Sequence, residues 1–344
     1  MASNLPPESV SRGRGLSRRR FGALSAAALS TALAGGMPAV VRAAAGGQTK
    51  AASSSSASAL GGAEPALVYH AKDVTPENFT ALFDLLTRER GLASAGRTGI
   101  KLHGDEVDLN RPLWQALKAH VKESRYIEGN WASTYTSGRG NTEGNYRAIM
   151  AQGVPREEID ILDGAGDYRL LPVAGEDDIK EVAVGRSLLE NYDTVAVTAN
   201  FKIPSFAGYS GAMKNVGIGL AGAPGKTAVH GEGFAKDADF YRRLAAASEA
   251  ICRALEGKLV FINVVTDLKA EPLEGAQLKT GTLGIFASTS MGAVDQAVLD
   301  ALYGLSPAQY DAFDEDVKVS RGFLQLEYLA RRNPLARAYR LTEV

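Results

Sequence analysis

Residues 193–265 read DTVAVTANFKIPSFAGYSGAMKNVGIGLAGAPGKTAVHGEGFAKDADFYRRLAAASEAICRALEGKLVFINVV. The first seven, 193–199, are fairly apolar and predict a strand. A long helical pattern follows at 236–255, and the apolar run at 259–265 predicts a second, buried strand. A strand, a helix and another strand in this order form the unit from which parallel sheets are built, so the stretch predicts an α/β fold.

The same alternation continues on both sides of this stretch. Helices are predicted to begin at Thr75-Pro76-Glu77 and at Arg111-Pro112, because proline is favoured in the first turn and apolar residues recur at helical spacing after each start. Further strands are predicted at residues 98–103, 159–162 and 283–287, and a further helix is predicted at 294–303. The predicted fold is therefore α/β, a mostly parallel sheet with helices on both faces. Residues 66–344 would form this domain, as one unit or as two subdomains.

Residues 1–45 have the order of a twin-arginine signal peptide. A basic region ending in Ser17-Arg18-Arg19-Arg20-Phe21 precedes a weakly apolar stretch at 22–41, and Ala43-Ala44-Ala45 follows as a small-residue cleavage site. Glycine and proline interrupt the apolar stretch, so we expect no stable membrane anchor, although its length leaves a retained span as the alternative. The expected partner is the twin-arginine export machinery, and the expected location is periplasmic or otherwise extracytoplasmic.

Composition limits the partners and cofactors. Residues 46–65, with four serines at 53–56, predict a flexible low-complexity linker. The chain has a formal net charge of −1, but the basic leader leaves 32 basic and 38 acidic residues beyond it, a charge near −6 that disfavours a nucleic-acid partner. The lone cysteine, Cys252, excludes an intramolecular disulfide and cannot hold an iron–sulfur cluster, and its helical context predicts a buried side chain.

The segment at 200–230 is the best candidate for a ligand site, because it follows a strand and so lies at the carboxyl edge of the sheet. Its glycines leave backbone N–H groups uncovered and its lysines supply positive charge, a combination that suits a carboxylate or phosphate. A phosphate loop is disfavoured, because five residues separate Gly219 from Gly225 where the motif needs four. The predicted ligand-binding residues are Lys101, Lys202, Gly211, Lys214, Asn215, Gly217, Gly219 and Lys226.

Two of the four histidines, His103 and His230, are the candidates for acid–base catalysis. His103 ends a predicted strand and His230 ends the glycine-rich segment, so both are expected to face one cleft. A metal site there would need carboxylates to complete it, and the spacing of the available ones is uninformative. No metal site is predicted from these residues. The acidic candidates are Asp105, Glu106, Asp163 and Asp267.

An ordered series of motifs resembles family 362 of the domains of unknown function, whose members are often fused to ferredoxin-like iron–sulfur modules. The most distinctive part is FK at 201–202 followed by GAMKNVGIG at 211–219 and then Gly225-Lys226 and His230. The resemblance runs from about Thr98 to the C-terminus. Its other parts are GIKLH at 99–103, Tyr135 with Arg139 and Asn141, Asp163-Gly164, Ile262-Asn263, GIFAST at 284–289, VDQA at 294–297, LEY at 326–328 and YRL at 339–341.

The chain departs from this family pattern at two places. Where members usually read His-Phe-Lys-Gly-His, residues 200–204 read NFKIP, so both histidines are replaced. Where cysteines commonly follow the asparagine-bearing strand, residues 269–272 read KAEP. The resemblance implies an iron–sulfur cluster or a histidine-rich metal site for relatives, and these departures argue against either one here.

The lysines, the glycines, Asn215 and the two histidines together favour anion binding over redox chemistry. We therefore expect an exported protein that binds a small anionic ligand in a Lys/Gly-rich cleft, without a predicted cofactor. Two alternatives stay open at this point: a metal-dependent or redox enzyme, and a non-catalytic partner of an exported complex. The residues do not decide whether the protein is an enzyme.

Overall fold

The computed structural model describes residues 59–60, 62–92, 96–104, 106–131, 139–175 and 179–344. The predicted leader and most of the predicted linker lie outside these residues. Ala59 and Leu60, which the sequence places in the linker, contact the domain. Met291 donates its backbone N–H to the Ala59 carbonyl at 3.1 Å, and the Asn333 side chain donates to the Leu60 carbonyl at 2.9 Å. These two residues therefore belong to the fold.

Many strands of the described residues are followed by a helix, as the sequence predicts, whereas others follow one another directly. They are β1 (Ala66–Ala71), β2 (Thr98–Lys101), β3 (Ser124–Glu128), β4 (Ile159–Ile161), β5 (Tyr168–Pro172), β6 (Glu181–Gly185), β7 (Thr194–Asn200), β8 (Lys202–Ser205), β9 (Gly208–Ser210), β10 (Leu259–Val265), β11 (Gly284–Ser288) and β12 (Tyr339–Glu343). Within the described residues, eight of them form one sheet in the order β12-β1-β11-β10-β7-β2-β3-β4. β5 pairs with β6, and β8 with β9, in separate two-stranded sheets.

The large sheet is mostly parallel, which confirms the predicted fold class. β10, β7, β2, β3 and β4 pair in parallel, as do β1 and β12, whereas β11 runs antiparallel to both of its neighbours. Val195 lies opposite Leu259, and Ile100 lies opposite Ala196. The parallel strands therefore end at a common carboxyl edge, and this edge carries the site described below.

The helices of the described residues connect these strands. They are α1 (Pro76–Glu89), α2 (Arg111–His120), α3 (Thr142–Met150), α4 (Arg186–Glu190), α5 (Ala212–Lys214), α6 (Ala223–His230), α7 (Ala238–Ala254), α8 (Met291–Tyr303), α9 (Pro307–Ala312), α10 (Glu315–Arg321) and α11 (Leu324–Arg332). A π-helical segment, Asn215–Gly219, continues α5 directly, and two 3₁₀ turns lie at Arg156–Glu158 and Glu232–Phe234. None of the helices within the described residues has both the length and the apolar character to cross a membrane.

Helices cover both faces of the sheet, as the sequence predicts. Alternate residues of a strand point to opposite faces. In β10, Leu259 and Phe261 belong to the hydrophobic cluster that contains α7, α8 and α11, whereas Val260 and Ile262 belong to the cluster that contains α1 and α2. Cys252 is buried in the first cluster, and burial raises the pKa of its thiol to about 12. The prediction of a buried cysteine is therefore confirmed, and this thiol is unreactive near neutral pH.

Candidate functional site

A cavity of about 90 Å³ opens at the carboxyl edge of the parallel strands. His103 follows β2, Trp131 follows β3, and the segment after β7 supplies much of the remaining wall. This is where open α/β sheets bind ligands, because parallel strands direct their following loops to one edge. Six residues predicted from the sequence line the cavity together: His103, Lys214, Asn215, Gly219, Lys226 and His230.

Lys214 is the lysine of this cavity that lacks a partner. Within the described residues, its ammonium group makes no hydrogen bond or ion pair. Burial and then the positive charge of Lys202 lower the pKa of Lys214 to about 8, although Glu106 opposes the shift. A partly buried ammonium group without a counter-charge is costly to the fold. A negatively charged ligand would supply the missing interaction.

The backbone that carries Lys214 changes from α-helical to π-helical at Asn215. The N–H of Leu220 reaches the Asn215 carbonyl, five residues back, at 3.0 Å. Side chains or backbone of Lys214, Asn215, Ile218 and Gly219 all contribute to the cavity wall. Such π turns are uncommon and are frequent at functional sites, because the wider turn changes which residues share a face.

Lys226, in α6, is the second lysine of the wall. It is buried, and its ammonium group donates a hydrogen bond to the Ala221 carbonyl at 2.7 Å. Burial lowers its pKa to about 8, and the negative charges of Glu128 and Asp163 oppose that shift. Lys226 is therefore partly neutralised by its surroundings, in contrast to Lys214.

Glu128 is the centre of a buried charge cluster beside the cavity. Its Oε2 accepts hydrogen bonds from the side chains of Lys101 and Arg139, each at 3.3 Å. The backbone N–H of Gly104 also donates to Oε2, at 2.9 Å, and the backbone N–H of Gly129 donates to Oε1, at 3.0 Å. Burial alone would raise its pKa, but Lys101 and Arg139 hold the pKa of Glu128 at about 2. The carboxylate therefore stays ionised and neutralises positive charge within the cluster.

His230 is a neutral imidazole packed among aromatic rings. It stacks on Phe234 with ring centroids 4.6 Å apart and on Phe240 at 5.3 Å, and Phe206 meets it edge-on at 5.3 Å. Burial, followed by the charges of Lys214 and Lys226, lowers its pKa to about 4. Its Nδ1 atom is buried and has no hydrogen-bond partner among the described residues.

His103 lies at the other side of the cavity, next to the ion pair between Lys202 and Glu106. Its ring meets Trp131 edge-on at 5.9 Å, and its Nδ1 lies 3.7 Å from Glu106 Oε1. Burial lowers its pKa well below the usual value, although Glu128 opposes the shift. Lys202 pairs with Glu106 and does not line the cavity. The structure thus brings both predicted histidines to one cavity and leaves Lys202 beside it.

Two carboxylates of the chain itself occupy the helix starts next to the cavity. Asp295 accepts the N–H groups of Ala212 and Met213 at 2.7 and 2.9 Å, and Asp163 accepts the N–H of Ala223 at 2.8 Å. These amides, at the starts of α5 and α6, were the best-placed backbone donors for an anionic ligand. They are therefore not available to a ligand in the cavity.

Gly211 and Gly217 do not reach the cavity, in contrast to their predicted role as amide donors. A Cβ at Gly211 would lie 2.4 Å from Asp295 Oδ1, and a Cβ at Gly217 would lie 2.4 Å from the Ser248 hydroxyl in α7. Both glycines therefore let the segment pack closely against the core. Close packing therefore accounts for the absence of a side chain at both positions, and their role as ligand-binding residues stays a prediction.

Lys101 is fully buried behind the cavity wall. Its ammonium group donates to the Leu102 carbonyl at 2.5 Å and to Glu128 Oε2 at 3.3 Å. A Cβ at Gly219 would lie 2.6 Å from Lys101 Cε, so only glycine allows this wall to pass over the lysine. Lys101 therefore supports the wall and holds Glu128, and it does not contact the cavity.

A family model, the domain of unknown function DUF362, matches residues 108–300, more than half of the chain. The chain belongs to this family. The DUF362 match includes Glu128, Lys214, Lys226, His230 and Asp295, whereas His103 precedes it. The resemblance inferred from the motifs is therefore confirmed. No curated protein matches the chain significantly.

Two solved structures are similar to this DUF362 protein at low identity. One is the lactate racemase apoprotein from Thermoanaerobacterium thermosaccharolyticum, with 13% identity over 59% of this chain and a TM-score of 0.36. The other is a protein from Thermotoga maritima, with 14% identity over 62% of this chain and a TM-score of 0.34. The chain spans about half the length of each, 51% and 54% respectively. Neither similarity indicates what this chain binds.

Sequence reasoning about this DUF362 chain missed half of the cavity wall. Glu128 ends a short strand of mixed composition, SRYIE, in which the apolar signal is weak. The aromatic residues lie outside the strands and α-helices, where no periodicity marks them. The missed wall residues are Glu128, Trp131, Phe206, Ser210, Ile218 and Phe234.

Within the described residues, the acidic candidates for a metal site do not form a set of ligands. Asp105 and Tyr135, singled out from the sequence, lie outside the described residues. Of the other acidic candidates, Glu106 pairs with Lys202, and Asp163 holds the start of α6. No group of three or more metal-ligating side chains comes together within the described ranges.

Proposed function

We propose that the protein binds a small organic carboxylate in the cavity at the carboxyl edge of its sheet. The observation that carries this proposal is Lys214, a lysine of the cavity wall whose ammonium group has no partner among the described residues. Among the described residues, Lys101, Lys202 and Lys226 each have a carboxylate or carbonyl partner within the chain. A bound carboxylate would complete the charge balance at Lys214.

The distribution of charge supports an anion in preference to a cation or a neutral ligand. Lys101 and Arg139 share Glu128, and Lys202 pairs with Glu106. Lys214 and Lys226 remain as positive charges that face the cavity, with only Lys226 donating to a carbonyl. Positive charge in excess of its partners attracts negative ligands to a partly enclosed site.

The same surroundings favour a carboxylate over a phosphate. Phosphate sites rely on several backbone N–H groups at a helix start, and here Asp295 and Asp163 already accept those groups. The rest of the wall is aromatic or aliphatic, with Trp131, Phe206 and Phe234 at the cavity. Such a wall accommodates the carbon skeleton of a small organic acid.

Calorimetric titration of the purified protein with acetate, lactate, pyruvate and inorganic phosphate tests the proposal. We expect the organic acids to bind and phosphate to bind more weakly. Lys214→Met removes the charge while keeping a side chain of similar length, and should weaken binding about tenfold or more, the value of one charge-assisted hydrogen bond. Lys122→Met, at an exposed lysine near the start of β3 and hence at the opposite sheet edge, is the matched control and should bind as the unaltered protein does.

Equal binding by Lys214→Met and by the unaltered protein would contradict the proposal. Absence of binding by all four anions, together with a stable partner on co-purification, would favour the non-catalytic partner alternative. Elemental analysis of the same preparation would favour the metal-dependent alternative if it found a stoichiometric metal.

We also infer that the twin-arginine route exports the protein to the periplasm or beyond. The support is the order of charges, apolar residues and small residues at 1–45. Replacement of Arg18 and Arg19 by lysine should retain the protein in the cytoplasm of a host that exports the unaltered chain. Unchanged export of the double variant would refute the inference.

A further inference from the structure

We propose that Lys214 is a nucleophile that forms an imine with the carbonyl carbon of a small 2-oxo acid. This proposal rests on the proposed function, because it uses the same cavity and the same carboxylate preference. It goes further by assigning a covalent step to one residue, and by selecting one class among the small organic acids.

The position of Lys214 fits an amine that reacts. The ε-amino groups of Lys101 and Lys226 are held by hydrogen bonds to carbonyl oxygens at 2.5 and 2.7 Å. Lys214 has no such bond among the described residues, and it lines the cavity. Burial and the neighbouring Lys202 lower its pKa to about 8, so the free amine is much better populated near neutral pH than on an exposed lysine.

His230 can move the protons that the step requires. Its ring lines the cavity with Lys214, and it is 9% exposed. Because its pKa is lowered to about 4, the imidazole is neutral near pH 7 and has one nitrogen free to accept a proton. Its buried Nδ1 atom has no hydrogen-bond partner among the described residues, so the described part of the fold does not use the proton-accepting capacity of this nitrogen.

The remaining wall can hold the carboxylate of the 2-oxo acid and limit access of water. Lys226 supplies positive charge, and Asn215, also in the wall, has an amide group of which only one donor bond, to the Gly211 carbonyl at 2.9 Å, is used inside the segment. The rings of Phe206 and Phe234, which pack on His230, cover that side of the cavity. An apolar cover favours an imine, because imines hydrolyse in open water.

The step balances as follows. The neutral amine of Lys214 attacks the carbonyl carbon, a C–N bond forms, and one N–H proton passes through the imidazole of His230 to the carbonyl oxygen, which gives a carbinolamine. The second N–H proton passes by the same imidazole to the hydroxyl group, the C–O bond breaks, water leaves, and a C=N bond remains. Amine and 2-oxo acid are thus converted into imine and water, without an oxidant or reductant.

Trapping with sodium cyanoborohydride tests the step, because this reagent reduces an imine to a stable secondary amine. The full protein is incubated with pyruvate and the reductant, and intact mass and peptide mapping locate the product. We expect one adduct, on Lys214, formed at least tenfold faster than on Lys122. Excess lactate, which has the carboxylate but no carbonyl group, should slow it by competition. Lys214→Arg keeps the positive charge and should give no adduct in the cavity.

The outcomes separate this proposal from the proposed function. If calorimetry shows that pyruvate and lactate bind but trapping yields no adduct on Lys214, the imine is disproved and carboxylate binding stands. Adducts spread over exposed lysines at the rate of Lys214 would also disprove it. If neither acid binds, the proposed function fails. Should Lys214→Arg not fold, peptide mapping of the unaltered protein still decides, because it locates the adduct directly.

Discussion

Two groups of buried charges lie side by side at the carboxyl edge of the sheet, and they differ in whether the fold completes them. In the first, Glu128 accepts hydrogen bonds from Lys101, Arg139 and two backbone amides, so each charge has a partner. In the second, Lys214 and His230 face the cavity, and neither the ammonium group of one nor the Nδ1 atom of the other has a partner among the described residues.

The difference separates charges that stabilise the fold from charges that are available to a ligand. Breaking a completed cluster leaves buried charge without compensation, which is among the most destabilising changes known. Removing a charge that the fold never compensated relieves a cost that the folded state bears. Substitutions in the two groups should therefore change stability in opposite directions.

The largest effect is expected for Glu128→Gln. This substitution removes the carboxylate that pairs with the buried Lys101 and Arg139 and should lower the free energy of unfolding by about 3–5 kcal/mol. Denaturant unfolding at pH 7 measures the change. Glu143→Gln, which removes an exposed ion pair with Arg156, is the control and should leave stability nearly unchanged. A loss no larger than the control's would show that the cluster is not structural.

The same cluster predicts a pH dependence with a defined sign. The folded pKa of Glu128, about 2, lies below its ordinary value of 4.5, so its contribution is present above pH 4.5 and is lost as the pH falls toward 2. Between pH 4.5 and 2, the free energy of unfolding of Glu128→Gln should therefore fall less than that of the unaltered protein.

The next effect concerns Asp295, which joins the core to the segment that carries Lys214. Asp295→Ala leaves the N–H groups of Ala212 and Met213 and the amide of Asn263 without their acceptor. We expect a loss of about 3 kcal/mol in unfolding free energy and weaker carboxylate binding, because unsatisfied buried donors are costly and α5 would shift. Unaltered binding by a variant that has lost this stability would show that α5 keeps its position without Asp295.

Lys214→Met should have the opposite sign. Its pKa of about 8 in the folded state lies below the usual 10.5, so the unfolded chain binds the proton more tightly and the charged lysine destabilises the fold at pH 7. Replacement should raise the free energy of unfolding while binding weakens. Thermal unfolding without added anions measures the gain. A destabilised Lys214→Met protein would mean that Lys214 has a structural partner.

The smallest effect is expected for His230→Phe, and it is a change in the pH dependence of the free energy of unfolding. The folded pKa of about 4 lies below the ordinary 6.5, so this histidine destabilises the fold progressively as the pH falls from 6.5 toward 4. Between pH 6.5 and 5.5 the unaltered protein should lose about 1 kcal/mol that the variant keeps. Parallel stability curves for the two proteins over this interval would contradict the assignment.

The sequence predicted the fold better than the site, and the residues show why. β7 and β10 lie in the centre of the sheet, so burial on both faces gives them near-continuous apolar runs that are visible without a structure. β12 lies at the sheet edge, half exposed, and its sequence YRLTE carries no such run. Strand β3, which was not predicted, ends in Glu128. The burial of this charge is explained only by its tertiary contacts with Lys101 and Arg139.

For the site, the sequence showed which residues are chemically able to bind an anion, but not which of them already have a partner within the fold. Lys101, Lys202 and Lys214 have the same chemistry in the sequence. Only the tertiary contacts show that Lys101 pairs with Glu128 and that Lys202 pairs with Glu106. Lys214 has no such partner among the described residues. The same holds for Gly217, where a missing side chain reflects contact with Ser248 rather than an open amide.

The contact made by Ala59 lies on the opposite side of the sheet from the cavity. The Ala59 carbonyl accepts a hydrogen bond from the Met291 N–H, at the start of α8, directly after β11 ends opposite the beginning of β10. This contact is therefore at the amino edge of the parallel strands, whereas the cavity opens at their carboxyl edge. Loss of the hydrogen bond between Ala59 and Met291 should leave the cavity wall intact.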